Sequence, residues 1–258
     1  MNILISNDDG ISARGLRELV DAVAKEGAVY VVAPSFERSA AAHSIMIRRD
    51  IRMQEVDYDH AKLAFSVDGT PADCVKLGVY KLRSLGIDID VVFSGINHGE
   101  NLGTDTLYSG TVSAAIEGNL MGVPSAAFSL AAHYPEYFDY TKGIAVDILK
   151  NVYGDMNAKT ILNVNVPHLP ENKIRGTRIT RLGKREYDNW FDEKTIDEKT
   201  SVFRYSGDPT EEDSDDMWVD IIAQQEGYAS ITPLKYDLTN IKAVKDISKC
   251  YSDRKSVV

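Results

Sequence analysis

The sequence predicts an α/β fold: a Rossmann-like, doubly wound, mostly parallel sheet, with a C-terminal extended, hairpin-like oligomerisation appendage and a terminal helix. Three observations carry this. Short apolar runs alternate with helical periods through the first part of the chain. Polar and glycine-rich clusters fall just after those runs. Past about residue 170 the alternation stops. The division expected is therefore an α/β core over 1–170 and an appendage over 171–258.

The elements follow in order. Asn2–Ser6 (NILIS) is a short apolar strand that ends in Asn7-Asp8-Asp9-Gly10. Leu16, Leu19, Val20 and Val23 then repeat at helical spacing, so a helix is expected from about Gly15 to Lys25. Val29–Pro34 (VYVVAP) is apolar at almost every position, as a strand inside a parallel sheet must be, with both faces covered. Residues 44–67 are more polar and are expected to form short strands of an excursion hairpin. Thr70-Pro71-Ala72-Asp73 reads as a helix start: Thr70 caps, Pro71 suits the first helical position, and Asp73 completes a capping-box spacing. That helix should reach about Leu82. Asp88–Ser94 is the next buried strand, Thr111–Met121 the next helix, and residues 124–130 (PSAAFSL) another strand. A helix over about Pro135–Tyr153 and a strand over 160–167 close the alternating part. Beyond it, residues 176–184 and 218–224 (WVDIIAQ) look extended, and 226–234 is a strand candidate. Ile241, Val244, Ile247 and Tyr251 give Thr239–Tyr251 one apolar helical face.

Composition narrows the class. The chain has 258 residues, 43% of them hydrophobic, which excludes a disordered or collagen-like chain. A net charge of −10 argues on electrostatic grounds against long nucleic acid and anionic membrane as partners. Two cysteines far apart, Cys74 and Cys250, suit neither a disulfide framework nor a zinc site. No apolar run approaches the roughly 18 residues of a membrane span, and the N-terminus lacks a signal-peptide pattern. A cytoplasmic protein is expected.

The chemistry gathers at strand ends, where open α/β sheets bind ligands. Asp8 and Asp9 are adjacent acids at the end of a buried strand. Like charges in contact raise each other's pKa or call for a cation. Hard oxygen donors (Asp8, Asp9, the Ser39 hydroxyl, the Asn97 carbonyl) suit Mg²⁺ or Mn²⁺ better than zinc. The alternative for Asp8-Asp9-Gly10 is a plain turn or helix cap. Gly95, Gly99 and Gly103, with Asn97 and Asn101 between them, let backbone approach an anion closely. Ser109-Gly110-Thr111 opens a helix, whose free N–H groups and dipole favour phosphate. No GxxxxGK[ST] or GxGxxG pattern occurs. A carboxylate-held metal beside a phosphate cradle suggests metal-assisted phosphoryl transfer to water.

NDDG with Gly15 downstream, PxxERSA at 34–40, GTPADCV at 69–75, SGINHGENLGTDTLYSGTVSAA at 94–115 and GYASITPL at 227–234 occur in this order. With these motifs the chain closely resembles, over essentially its whole length, the survival protein E (SurE) family of metal-dependent 5′/3′-nucleotidases. Ala40 stands where many relatives carry Gly, which bears on loop flexibility rather than ligation. The resemblance implies hydrolysis of nucleoside 5′- and 3′-monophosphates, with activity on short polyphosphate in some members. It implies one divalent metal ion per subunit, held by Asp8, Asp9, Ser39 and Asn97, and a homodimer or homotetramer with exchanged C-terminal segments. As a mechanism, Asp8, Asp9 and Asn97 serve the reaction, and Asn101, Ser109, Gly110 and Thr111 hold the phosphate. Either aspartate could take the water proton.

Other features have plainer readings beside functional ones. His98 reads as an exposed loop histidine or as a general acid. His43 reads as loop structure near Ser39, and Cys74 as a small core residue. Residues 208–220 hold seven acids and no base, a solvated loop by the usual behaviour of charge blocks or a second metal site. Trp190, Phe191, Tyr205 and Trp218 flank it and suit a subunit contact or a local core. Competing functions are a nucleotide-binding module without turnover and a Rossmann oxidoreductase. The paired acids argue against the first, and the missing glycine fingerprint against the second.

Overall fold

A computed structural model describes residues 1–157, 159–188, 191–207, 209–211 and 216–252. Trp190 and much of the acidic stretch 208–220 lie outside them, as does the side chain of Tyr251.

Strand β1 (Asn2–Ser6) leads to helix α1 (Arg14–Val23) and strand β2 (Ala28–Pro34). Strands β3 (Met53–Glu55) and β4 (Leu63–Val67) follow, then helix α2 (Pro71–Ser84), strand β5 (Val91–His98), helix α3 (Gly110–Leu120) and strand β6 (Ser125–Leu130). Helix α4 (Asp139–Asp147) and strand β7 (Ile161–Val166) come next, then short strands β8 (Thr177–Ile179) and β9 (Arg185–Tyr187). Strands β10 (Phe191–Asp197), β11 (Thr200–Tyr205) and β12 (Pro209–Glu211), helix α5 (Asp220–Gln225), strand β13 (Ala229–Leu234) and helix α6 (Ile241–Ser252) complete the described chain.

The main sheet has nine strands in the order β3-β4-β2-β1-β5-β6-β7-β13-β8. From β4 to β7 every neighbouring pair is parallel. The chain first winds outward from β1 through β2 to β4, then returns to β5 and winds the other way. The switch point, where such sheets bind ligands, lies between β1 and β5, whose last paired residues are Ser6 and Ser94.

Why these strands are apolar throughout is clear from their packing. Ile3 and Ile5 of β1 meet Leu16, Leu19 and Val20 of α1 on one face. Leu4, between them, joins Val75, Val79 and Leu82 of α2 on the other. Alternate side chains therefore enter different cores, and neither face of the strand can be polar. Helix α2 starts as expected: Thr70 accepts the Asp73 N–H, and the Asp73 side chain accepts the Thr70 N–H, with Pro71 in the first turn.

Several expectations need correction. Residues 44–67 do form an antiparallel hairpin, β3–β4, but it is no excursion from the sheet. Only β3 and β4 are strands there, and β4 lies parallel to β2 inside the main sheet. Strand β5 starts at Val91 and runs to His98, so Asn97 and His98 sit on a strand end rather than in a loop. The helix expected from Pro135 begins at Asp139, and Ile148–Val152 continues it as a π-helical turn. Residues 218–224 are not extended: Asp220–Gln225 is helix α5, whose Ile221 packs with Leu102 and Val219. A run of two isoleucines flanked by Val219 looks like a strand, but here Asp220 accepts the Ile221 N–H at the helix start and Val219 and Ile221 pack with Leu102.

Candidate active site

The site is built where β1 and β5 end. Past β1, Asn7 folds the chain back on itself. Its amide donates to the Gly10 carbonyl at 2.9 Å and accepts the Gly10 N–H at 3.2 Å. Gly10 takes φ +99°, a conformation open to glycine. This turn leaves Asp8 and Asp9 at the sheet's carboxyl edge.

Asp8 is buried, 6% exposed. Helix α3 meets it end-on. Thr111 donates its hydroxyl to Asp8 Oδ1, and the Thr111 backbone N–H also serves the carboxylate. A Cβ on Gly110 would lie 2.8 Å from Asp8 Oδ2, so only glycine admits this approach. The anion seated on the helix start is thus Asp8 itself, a favourable partner for the dipole. Asp9 is less buried and accepts the His98 N–H on Oδ2 at 3.3 Å. Both carboxyls are pushed up to about 6. Burial is the largest cause in each; the charge of Asp9 adds to it at Asp8, and that of Glu37 at Asp9. Two buried acids in this condition call for a cation.

Asn97 reaches the cleft because β5 is irregular. Pairing with β6 shifts between Ser94 and Asn97. Gly95 has φ +129°, and a Cβ there would come within 2.3 Å of the Phe128 carbonyl oxygen. On the other side, Gly15 of α1 presses so close that its Cβ would fall 1.9 Å from the Ile96 oxygen. The Asn97 amide nitrogen is committed to the Gly99 carbonyl at 2.9 Å, which leaves the side-chain oxygen as the donor for a ligand. Ser39 lies on the loop after β2 and donates its hydroxyl to Glu37 at 2.5 Å. A hydroxyl that has given away its proton keeps its lone pairs for a cation.

Asp8, Asp9, Ser39, Asn97, Asn101 and Ser109 line one cleft of about 1090 Å³. Gly110 and Thr111 do not line it; they lie behind Asp8. Ser109 caps α3 by accepting the Val112 N–H at 3.1 Å, so its own proton is free to donate. Among the described residues no group of three His, Cys, Asp or Glu side chains could hold a metal ion. The donor set is two carboxylates, a hydroxyl and an amide oxygen, all hard oxygens, and it fits a hard divalent cation.

His98 is no exposed loop residue. Its ring is half-buried, 6.3 Å from that of Phe138, and its Nε2 is buried without a partner. Burial, with help from the Arg14 charge, holds its pKa below the usual value and so favours the neutral ring. The sequence reading also missed the support under Asn101. Asn101 donates its N–H to Asn165 at 2.7 Å and its amide to Ser129 at 2.8 Å, and its carbonyl accepts from Asn163 and Asn165. The signal was present: Asn163 and Asn165 alternate with apolar residues in β7, so both face one way. Asp220, the last acid of the 208–220 stretch, is fully buried rather than solvated. It accepts the N–H groups of Gly103 at 2.9 Å, Gly183 at 2.7 Å and Ile221 at 2.9 Å.

The family described as Survival protein SurE matches residues 3–189. The chain belongs to the SurE family. The curated 5′-nucleotidase SurE of Pelotomaculum thermopropionicum is 46% identical over 252 residues, covering 96% of this chain and 95% of the relative. That of Syntrophomonas wolfei is 43% identical over 258 residues, covering 98% and 95%. The crystal structure of the SurE protein from Aquifex aeolicus, 37% identical, superposes with a TM-score of 0.82 and covers 97% of this chain and 100% of its own. The SurE likeness and the sheet order agree on the α/β fold expected from the sequence.

Proposed function

We propose that this SurE-family protein is a divalent-metal-dependent phosphatase, a phosphoric monoester hydrolase that converts nucleoside 5′-monophosphates to nucleoside and phosphate. The names of the relatives support the reaction class. The observation that carries the metal part is the Asp8–Asp9 pair at the sheet's switch point, both carboxyls pushed up to about 6 in a cleft lined by Ser39 and Asn97. An anionic ester has no reason to enter beside two acids unless a cation lies between them. Nucleoside 3′-monophosphates and short polyphosphate present the same terminal phosphate and fall within the proposal.

Asp8, Asp9, Ser39 and Asn97 would hold one Mg²⁺ or Mn²⁺ per subunit. When bound, such an ion polarises a phosphate oxygen and lowers the pKa of water. The chain's own groups do the rest. Asn101, fixed by its bonds to Ser129 and Asn165, and the Ser109 hydroxyl take the remaining phosphate oxygens and meet the charge that develops on them. Gly110 and Thr111 serve the phosphate indirectly, by allowing and fixing the position of Asp8. Asp8 or Asp9 accepts the proton of the attacking water. Replacing each aspartate by Asn and measuring Mn²⁺-dependent hydrolysis of p-nitrophenyl phosphate tests the assignment. Activity should fall at least about 10²-fold, the lower end of a general acid–base contribution; full activity in both variants would refute it.

The proposal extends to assembly and place. Residues 1–170 form the catalytic core, and 171–258 join subunits as a homodimer or homotetramer with exchanged segments. Ile241, Val244 and Ile247 of α6, each at least half exposed, support this. So do Phe203 and Tyr205 on the β10–β11 hairpin. No helix among the described residues is long and apolar enough to cross a membrane, and the cytoplasm is the proposed location.

A further inference from the structure

Helix α3 has a single charged side chain, Glu117, among apolar and small residues. The Glu117 side chain is 3% exposed. A buried carboxylate needs partners for its oxygens, and two other segments supply them. Lys76 of α2 approaches Oε1 at 2.8 Å, and His43 Nε2 lies 2.9 Å from Oε2. Burial alone would raise this carboxyl; the hydrogen bonds and charges of His43 and Lys76 outweigh it and hold the group ionised.

His43 sits on the loop that carries Ser39. Between them Ala40 has φ +53° and Ala42 φ +49°. Alanine is disfavoured in this left-handed region, and two such residues so close persist only when the surroundings hold them. The holds are visible on both sides. The Arg38 N–H donates to the Asp8 carbonyl at 2.7 Å, and the Ala42 N–H to that of Tyr108 at 3.1 Å. His43 then ties the far end to Glu117. The same helix therefore abuts Asp8 with its first turn and grips the Ser39 loop with its middle.

We infer that Glu117 is a positioning residue of the metal centre: by gripping His43 it keeps the turn from Ser39 to His43 wound, and so fixes Ser39 relative to Asp8 and Asp9. The inference rests on the metal-site reading above. It differs from a general stabilising role in what it moves, because a loosened Ser39 weakens the metal and leaves the phosphate cradle intact.

The test is Mn²⁺ binding to the metal-free protein, without substrate, followed by the spin-resonance signal of free Mn²⁺. Wild type is compared with Glu117→Gln, His43→Gln, Lys76→Gln and Asp9→Asn. Glu117→Gln and His43→Gln should each weaken Mn²⁺ about tenfold, the low end for a group that orients a ligand. Their KM for AMP at saturating Mn²⁺ should stay near that of wild type. Lys76→Gln, which removes the cation that is not on the loop, should bind Mn²⁺ nearly as wild type does. Unchanged Mn²⁺ affinity in Glu117→Gln and His43→Gln, or an equal loss in Lys76→Gln, overturns the inference. Should Glu117→Gln fail to fold, His43→Gln decides alone, since its side chain is on the loop. Asp9→Asn separates the two claims: if it binds Mn²⁺ as tightly as wild type, the metal reading itself fails, and this inference with it.

Discussion

Asp8 and Asp9 make the metal-free protein sensitive to pH in an unusual direction. Each carboxyl is pushed up to about 6 in the folded protein, against an ordinary value of 3.8. The folded state therefore binds protons more tightly than the unfolded chain. Stability from these groups is present at low pH and is lost as pH rises from about 4 to about 6. For Asp8 the full effect is about 3 kcal/mol, from about 1.4 kcal/mol per pKa unit. A bound cation reverses the penalty. Calorimetry should show Mn²⁺ raising the melting temperature more at pH 7.5 than at pH 5; an equal rise at both would contradict this. Much of this residue-level picture was legible. Adjacent acids after an apolar run, with Ser39 and Asn97 after two others, point to a cation whatever the details. The role of Thr111 was not legible. A helix start looks the same in sequence whether it holds a phosphate or the protein's own carboxylate.

At the scale of the element, α3 does more than its length suggests, and glycine at its start is the condition. Gly110→Ala would push a Cβ to within 2.8 Å of the Asp8 carboxylate. Overpacking of this kind costs about 1–3 kcal/mol. The expected outcome is a lower melting temperature together with loss of phosphatase activity, because Asp8 is what moves. Helix α2 offers a contrast in which capping, not chemistry, is at stake. Thr70→Ala removes the capping box and the bond from the Thr70 hydroxyl to the Ser44 carbonyl. Urea titration should show a loss of about 1 kcal/mol, typical for a cap. Helix starts with Thr-Pro-x-Asp spacing and strands apolar on both faces can be read from sequence because local chemistry dictates them. Strand β4 could be read as a strand, but its parallel place beside β2 could not, and helix α5 could not be read at all. The place of β4 is set by its neighbour β2, and α5 packs against Leu102 and β7, and all of these partners are distant along the chain.

Over the whole molecule, the order of winding places the site. Reversal of direction between β1 and β5 opens the carboxyl edge where Asp8, Asp9 and Asn97 meet. The segment past residue 170 also reaches this edge. Strands β13 and β8 extend the main sheet, and Asp220 clasps Gly103 from the loop that carries Asn101. Arg185 adds a second clasp, 3.1 Å from Asp105. Asp220→Ala would orphan three backbone N–H groups, at about 1 kcal/mol or more each. A loss of at least about 3 kcal/mol in chemical denaturation, with weaker AMP turnover, is the expected result. The acid-rich stretch of the sequence hid this residue, since a buried acid and its solvated neighbours are written alike. The central claim is that a cation held by Asp8 and Asp9 brings an anionic nucleotide into an acidic cleft. Phosphate release from 5′-AMP, measured after EDTA treatment and again after Mn²⁺ or Mg²⁺ add-back, tests it most directly. EDTA is expected to abolish release and the added metal to restore it; release that neither EDTA nor added metal changes would contradict a metal-held nucleotide.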